Sequence, residues 1–290
     1  MAFVLSFVEQ GLIYGVMALG MYITYKILDF PDMTVDGSFP FGAAVSVVCI
    51  RSGVLPILTM PICFCLGCII GSITGIINVY GKVRDLLAGI IMMTALYSVN
   101  IMIAGGANLP IYNYYSIFDN TFLDAVIPDS LSDYKIVIVL IVIVFVIKMF
   151  LDMYMKTKSG YMLRAVGDND NLVTSMGVNK GTVRILGLSL SNGLVALSGC
   201  MFSQQQRYFD ISMGTGTAVI GLASVIIGTN LIKKPRLVNV TTTVIIGAII
   251  YRMCVAIAIK MGLNPNFMKL ISASILLIIL VITRDRKKTN

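Results

Sequence analysis

The chain has no histidine, one glutamate (Glu9) and little charge of either sign, only 12% of its 290 residues being Asp, Glu, Lys or Arg. A soluble domain carries about 25%. With 57% hydrophobic residues and a mean hydropathy of +0.90, this shortage excludes a water-soluble globule and leaves an integral membrane protein. Lack of histidine also disposes of the cysteines as a metal site. Cys63, Cys65 and Cys68 share one apolar run, but their spacing scatters them around a helix and no other ligand type accompanies them. All six cysteines read as small buried residues, and no metal is expected. No nucleophile–base pair is evident, so an enzyme is not expected. Gly214-Thr215-Gly216 lacks the lysine of a phosphate-binding loop, so the chain should not hold ATP itself. The first apolar run is too long, and lacks the basic leader, for a cleavable signal peptide.

What is present is a series of apolar runs of membrane-crossing length, a span needing roughly 20 residues. They cover Phe3 to Leu28, Val54 to Tyr80, Leu86 to Ala104, Lys135 to Met155, Ile185 to Ser203, Gly214 to Leu231, Leu237 to Ile259 and Phe267 to Ile282, with a shorter Gly/Ala-rich run from Phe41 to Ile50. The expected fold is an all-α polytopic membrane protein, a single domain over 1–290 with about eight crossings. Two of its helices are broken, at Asp29 to Pro40 and at Gln204 to Ser212. The net charge of +8 could suggest nucleic acid, but the basic residues sit in short loops beside apolar runs, which is membrane topology. Lys82, Arg84, Lys156, Lys158, Arg164, Lys180, Arg184, the Lys233 to Arg236 cluster and the basic tail fall on one side; Arg51, Lys135, Arg207, Lys260 and Lys269 fall on the other. The positive-inside rule then sets the amino terminus outside and the carboxyl terminus in the cytoplasm. The acidic, Tyr-rich Gly105 to Tyr134 loop lies outside.

The longest cytoplasmic segment, residues 156–184, has internal punctuation. Ser159 can cap a helix over Gly160 to Val166, ended by Gly167; Asp168 can cap a second, Asn169 to Met176, closed by Gly177. Two capped helices between spans suit a grip for a cytoplasmic partner; an ordered surface loop is the plainer alternative.

An internal echo links Phe30 to Val45 (FPDMTVDGSFPFGAAV) with Phe209 to Ser224 (FDISMGTGTAVIGLAS). Each is an aromatic and an aspartate opening into a small-residue helix after a span. The two run in opposite directions, as inverted repeats with broken helices would; chance likeness of Gly-rich segments is the competitor. A broken helix frees backbone groups that must line a cavity or meet protein, making Phe30, Asp32, Asp36, Phe39, Phe209 and Asp210 candidates for a substrate path. Gly67, Gly71 and Gly75 form a small-residue stripe for close helix packing, within the subunit or at a dimer seam. Arg252, inside a span, is expected to snorkel to the headgroups.

ALGMYITYKILDFPDMTVDGSFPFGAAV (Ala18 to Val45) resembles the opening of permeases in the branched-chain amino acid and ribose class of ATP-binding-cassette importers. KSGYMLRAVGDNDNLVTSMGVNKGTVRILGLSLSNGLVALSGCM (Lys158 to Met201) resembles their central signature. The order of spans matches over essentially the whole chain. The FPDMTVDGSFPFGAA variant is most similar to permeases paired with tryptophan/tyrosine-type binding proteins. Branched-chain members commonly carry an Asn-Phe-Ala-His-Gly-type sequence at that point, and this chain has no histidine.

The resemblance implies a permease dimer, homo- or heteromeric, with cytoplasmic ATPase subunits that bind the ATP and Mg, and an extracellular or periplasmic substrate-binding protein. In that arrangement the Ser159 to Gly177 loop docks the ATPase through Ser159, Gly160, Arg164, Asp168, Asn169, Asp170 and Gly177, with Arg164 and Asp168 foremost. The function expected is ATP-driven import of an aromatic amino acid across a bacterial cell membrane. Alternatives are a branched-chain amino acid, sugar or nucleoside importer of the same class, or an ion-coupled secondary transporter. The last needs a midplane ionisable site that Glu9 and the span-end aspartates supply poorly.

Overall fold

A computed structural model of the protein describes residues 2–119, 134–175, 177–231, 239–261, 270, 272–274, 276 and 277. Seven helical stretches among them are long and apolar enough to cross a membrane. The helices are α1 (Ala2–Met21), α2 (Val35–Arg51), α3 (Pro56–Val79), α4 (Asp85–Ala104), α5 (Lys135–Tyr154), the short α6 (Lys158–Asp168) and α7 (Asp170–Ser175), α8 (Lys180–Gln206), α9 (Thr217–Leu231) and α10 (Val240–Lys260). A π-helical stretch, Tyr22–Ile27, prolongs α1. Three-residue strands β1 (Asn108–Pro110) and β2 (Tyr208–Asp210) pair antiparallel, Asn108 opposite Asp210. A 3-10 turn, Ile211–Gly214, precedes α9. The expected crossing at Phe267 to Ile282 lies mostly outside the described residues.

Backbone that enters lipid must satisfy its own hydrogen bonds, which is why nearly every apolar run is helical. Hydropathy then sorts outer from inner helices. The most apolar, α5, buries only Leu140, Val144 and Leu151 and exposes Ile141, Val142, Phe145, Val146, Met149 and Phe150. The least apolar span, α8, is buried almost continuously from Gly187 to Gln204, because its Gly, Ser and Ala residues let neighbours come close. The α3 stripe packs there, within the subunit: a Cβ at Gly71 would lie 2.1 Å from the Leu188 carbonyl oxygen, and Gly67 and Gly75 meet Ala196 and Ile185.

The halves are related as the sequence echo suggests. Ser191 and Ser198 of α8 donate to the Gly20 and Ile13 carbonyls of α1, at 2.8 and 2.7 Å. Rising residue numbers on one helix thus meet falling numbers on the other, so the two run antiparallel. Packing is reciprocal: α2 and α3 lie on α8, while α9 and α10 lie on α1. Exchanging α1 with α8, α2 with α9 and α3 with α10 reproduces the pattern, as an inverted repeat requires.

Three local expectations change. The first break is shorter than the polar stretch 29–40: α2 already begins at Val35 and carries Pro40 inside it. A proline cannot donate to the carbonyl four residues back, and the freed Asp36 carbonyl lies where a Cβ of Gly214 would otherwise sit, 2.0 Å away. The second break begins later, since α8 persists to Gln206 and Arg207 takes the left-handed conformation (φ 65°). Arg252 does not snorkel out; it is 6% exposed, its guanidinium carbon 3.9 Å from the centre of the Tyr14 ring. Side chains lean toward the amino-terminal end of their helix, and for α10 that direction leads away from Lys260.

Candidate functional site

The two chain breaks meet. Asp36, in the first turn of α2, accepts the Gly216 amide at 3.0 Å, the Ala218 amide at 2.7 Å and the Thr217 hydroxyl at 2.9 Å. Its carboxylate caps α9, meeting the positive end of that helix's dipole and its orphan amides. The other side of the first break is tied to α8. Asp32 accepts the Thr34 amide (2.8 Å) and the Asn192 side-chain amide (2.8 Å), and Asn192 in turn accepts the Ser38 hydroxyl (2.7 Å).

Beside this junction is a cavity of about 570 Å³, walled by Asp36, Gly37 and Pro40 of α2, by Thr94, Tyr97 and Asn100 of α4, and by Ser212 and Thr215 of the second break. That volume is within the ordinary range of small-molecule sites. Asn100 donates to the Gly37 carbonyl at 3.1 Å, leaving its Oδ1 buried with no hydrogen-bond partner. Tyr97, 55% exposed on a membrane-spanning helix, and its exposed neighbours Thr94 and Ser98 give α4 a polar face that lipid would not favour. The cavity offers a carboxylate, an unpaired amide oxygen, hydroxyls and an aromatic ring. Such a set can orient a small zwitterion.

Of the six residues expected on the path, Asp36 is on the cavity wall. Asp32 is adjacent but 3% exposed and fully occupied by its partners. Asp210 borders it through Ser212, whose amide it accepts at 2.8 Å and whose hydroxyl it also accepts. Burial pushes the Asp210 carboxyl up, but the Ser212 bonds and one from Asn108 outweigh it and hold the group below the usual carboxylate range. The three phenylalanines are not on the wall. Phe39 stacks on Tyr14 with ring centres 5.7 Å apart, while Phe30 and Phe209 are buried in core clusters. Packing against α1 and α8 encloses Phe30 and Phe39, and packing against α2, the end of α4 and Ile111 encloses Phe209. Asn100, Tyr97, Thr94 and Ser98 were not anticipated; their signal was a row of polar side chains at helical spacing inside an otherwise apolar span.

At the end where β1 and β2 pair, Arg207 donates to the Tyr114 carbonyl (2.7 Å) and to Asp119 (2.6 Å). Gln204 accepts the Ile117 amide at 3.0 Å. These bonds clamp the loop after β1 to α8, leaving Tyr112 and Tyr115 exposed.

At the other end are α6 and α7. The cap of α6 is Thr157, which accepts the Gly160 amide at 3.3 Å, and not Ser159, whose hydroxyl bonds Tyr154 at 2.8 Å. Gly167 does not stop the helix, which continues to Asp168. Its φ is not left-handed; what it supplies is room, since a Cβ there would overlap the Ile27 carbonyl oxygen. Nor does Asp168 cap α7, because extended Asn169 separates the two helices. Gly177 does adopt a positive φ, 76°. Leu163 and Val166 are buried anchors, Gly160 packs on the Tyr154–Met155 backbone, and Arg164, Asp168, Asn169 and Tyr161 face outward. The side chain of Asp170 lies outside the described residues.

Residues 3–281 match the family described as branched-chain amino acid transport system / permease component. The chain belongs to that family. It is 38% identical, over 100% of its own length and 95% of the relative's, to the tyrosine transport system permease protein of Clostridioides difficile (strain R20291). It is 29% identical, over 73% of itself and 69% of the relative, to a Methanocaldococcus jannaschii protein named as a probable branched-chain amino acid transport permease. Against the ribose import permease of Escherichia coli (strain K12) identity is 22%, over 98% and 85%. No solved structure matches the chain. This permease is thus a multi-pass membrane subunit of the ATP-binding-cassette importer class.

Proposed function

We propose that this permease imports an aromatic amino acid, tyrosine foremost, and does no chemistry on it. The observation that carries the substrate is the full-length likeness to a tyrosine permease. The polar cavity at the junction of the breaks supports it, being of suitable size and carrying Asp36 and the Asn100 oxygen for an ammonium group. In this reading the amino terminus is outside and the carboxyl terminus cytoplasmic. Opposite sides require an odd number of crossings, so α2 counts as one beside the seven longer stretches and the Phe267 to Ile282 run.

The outward face of α6–α7, with Tyr161, Arg164, Asp168 and Asn169 exposed above a buried Leu163 and Val166, receives the cytoplasmic ATPase, which binds the ATP and Mg. A second permease copy or paralogue faces the polar side of α4 and completes the path. A substrate-binding protein settles on the exposed Tyr112 and Tyr115. ATP-driven closure moves α6, and through the Gly167–Ile27 contact reaches the π-helical stretch and the first break.

The test is uptake of radiolabelled tyrosine into proteoliposomes holding the permease, its ATPase and its binding protein. Uptake should need ATP inside the ATPase-facing compartment, and unlabelled tyrosine, tryptophan or phenylalanine should compete while leucine and ribose do not. Competition by leucine or ribose alone reassigns the substrate. Uptake by the permease alone on an ion gradient refutes the reading.

A further inference from the structure

Arg252 is left without a counter-charge by everything described so far. It lies eight positions before the carboxyl-terminal residue of α10, Lys260, is 6% exposed, and has a buried Nε without a hydrogen-bond partner. No carboxylate pairs with it among the described residues, and its described contact is the face of Tyr14. A cation–π contact offsets only part of the cost of desolvating a guanidinium. Charged groups inside a membrane protein otherwise pair, or line a pathway or a site.

The surroundings supply the space. Gly11 and Gly15 of α1 let α10 approach closely at Ile249 and Ile245. Beyond them, toward the amino terminus of α1, the two helices border a cavity of about 230 Å³ lined by Ser6, Phe7, Gln10, Arg252, Val255 and Ile259. Neither Ser6 nor Gln10 makes a side-chain hydrogen bond among the described residues. Arg252, Gln10 and Ser6, whose side chains make no hydrogen bond among the described residues, line one wedge beside the Tyr14 contact, and Arg presents its donors in a fork matched to phosphate oxygens. Val4, Met253 and Ile257 beside the wedge are exposed and apolar, a surface for acyl chains.

We propose that the wedge between α1 and α10 binds the phosphate of a membrane phospholipid, with Arg252 as the principal donor and Gln10 and Ser6 assisting. The site is separate from the cavity at the chain breaks and does not depend on what the permease carries.

The test compares phospholipid retained by the purified full chain after detergent exchange, read by native mass spectrometry, with its thermal stabilisation by dihexanoyl-phosphatidylglycerol or by inorganic phosphate. Wild type should keep a phospholipid that Arg252→Gln loses, and the short-chain lipid should raise its Tm but not the variant's. Gln10→Leu removes the amide at nearly unchanged size and spares the guanidinium; it should retain less of the same lipid, and it stands in if Arg252→Gln does not fold. Stabilisation by inorganic phosphate alone, lost in Arg252→Gln, keeps the oxyanion site but overturns the lipid as its source. Equal retention and equal stabilisation in all three proteins overturns the site.

Discussion

Removing the Asp36 carboxylate leaves the Gly216 and Ala218 amides and the Thr217 hydroxyl without their acceptor. Loss of a helix cap costs about 0.5–2 kcal/mol, and here the wall of the cavity changes with it. Asp36→Ala should therefore lower both thermal stability in detergent and ATP-dependent uptake. Asp36→Asn, which keeps acceptor oxygen but no charge, should retain more stability than transport. Equal behaviour of the two variants in both assays would deny the charge a role. The sequence pointed to Asp36 because an aspartate beside a helix break is unusual in lipid. Asn100 went unseen because one amide in so apolar a span reads as incidental, and only the three-dimensional approach of Gly37 shows half of it occupied and half unpaired. Arg252 was found but misdirected: the sequence gives its depth and says nothing of Tyr14, at the far end of the chain and beside it in space.

Among the elements, the α3–α8 contact is the most extensive seam, and its glycines meet mainly backbone rather than flexible side-chain ends. Gly71→Leu cannot be absorbed by rotamer changes; overpacking costs about 1–3 kcal/mol, and the expected outcome is a lower detergent melting temperature and reduced yield of folded protein. Gly53→Ala, at a residue with open space but a positive φ of 85°, should be milder in the same assay. Spans and breaks were readable because apolar length and small-residue content report directly on lipid and packing. Loop helices were less so. Gly167 has the spacing of a helix stop, but glycine serves close approach as well as left-handed turns, and sequence alone does not separate the two uses. On α6, Arg164→Glu reverses an exposed charge while leaving Leu163 and Val166 in place. It should abolish substrate-stimulated ATP hydrolysis by the assembled importer without changing the permease's melting temperature; unchanged hydrolysis would remove α6 from the coupling surface.

For the molecule as a whole, orientation is the most economical thing to test. In a background with the six native cysteines replaced, Tyr112→Cys should react with a membrane-impermeant maleimide on intact cells, and Tyr161→Cys only after permeabilisation. The reverse labelling pattern would invert the topology and put α6 and α7 outside. Both positions are well exposed, at 68% and 59%, so failure to react reports the side of the membrane rather than burial.

The single carboxylate of Asp36 belongs to the first repeat, yet it is bonded three times over to the second. Asn192, of the second, is likewise pinned by Asp32 and Ser38 of the first. Each half thus carries the latch of the other. A relative slide of the two would have to break these bonds, including the one that holds the buried Asp32 carboxylate to Asn192. On the proposed reading, the two halves of this chain would travel together through a transport cycle rather than past each other.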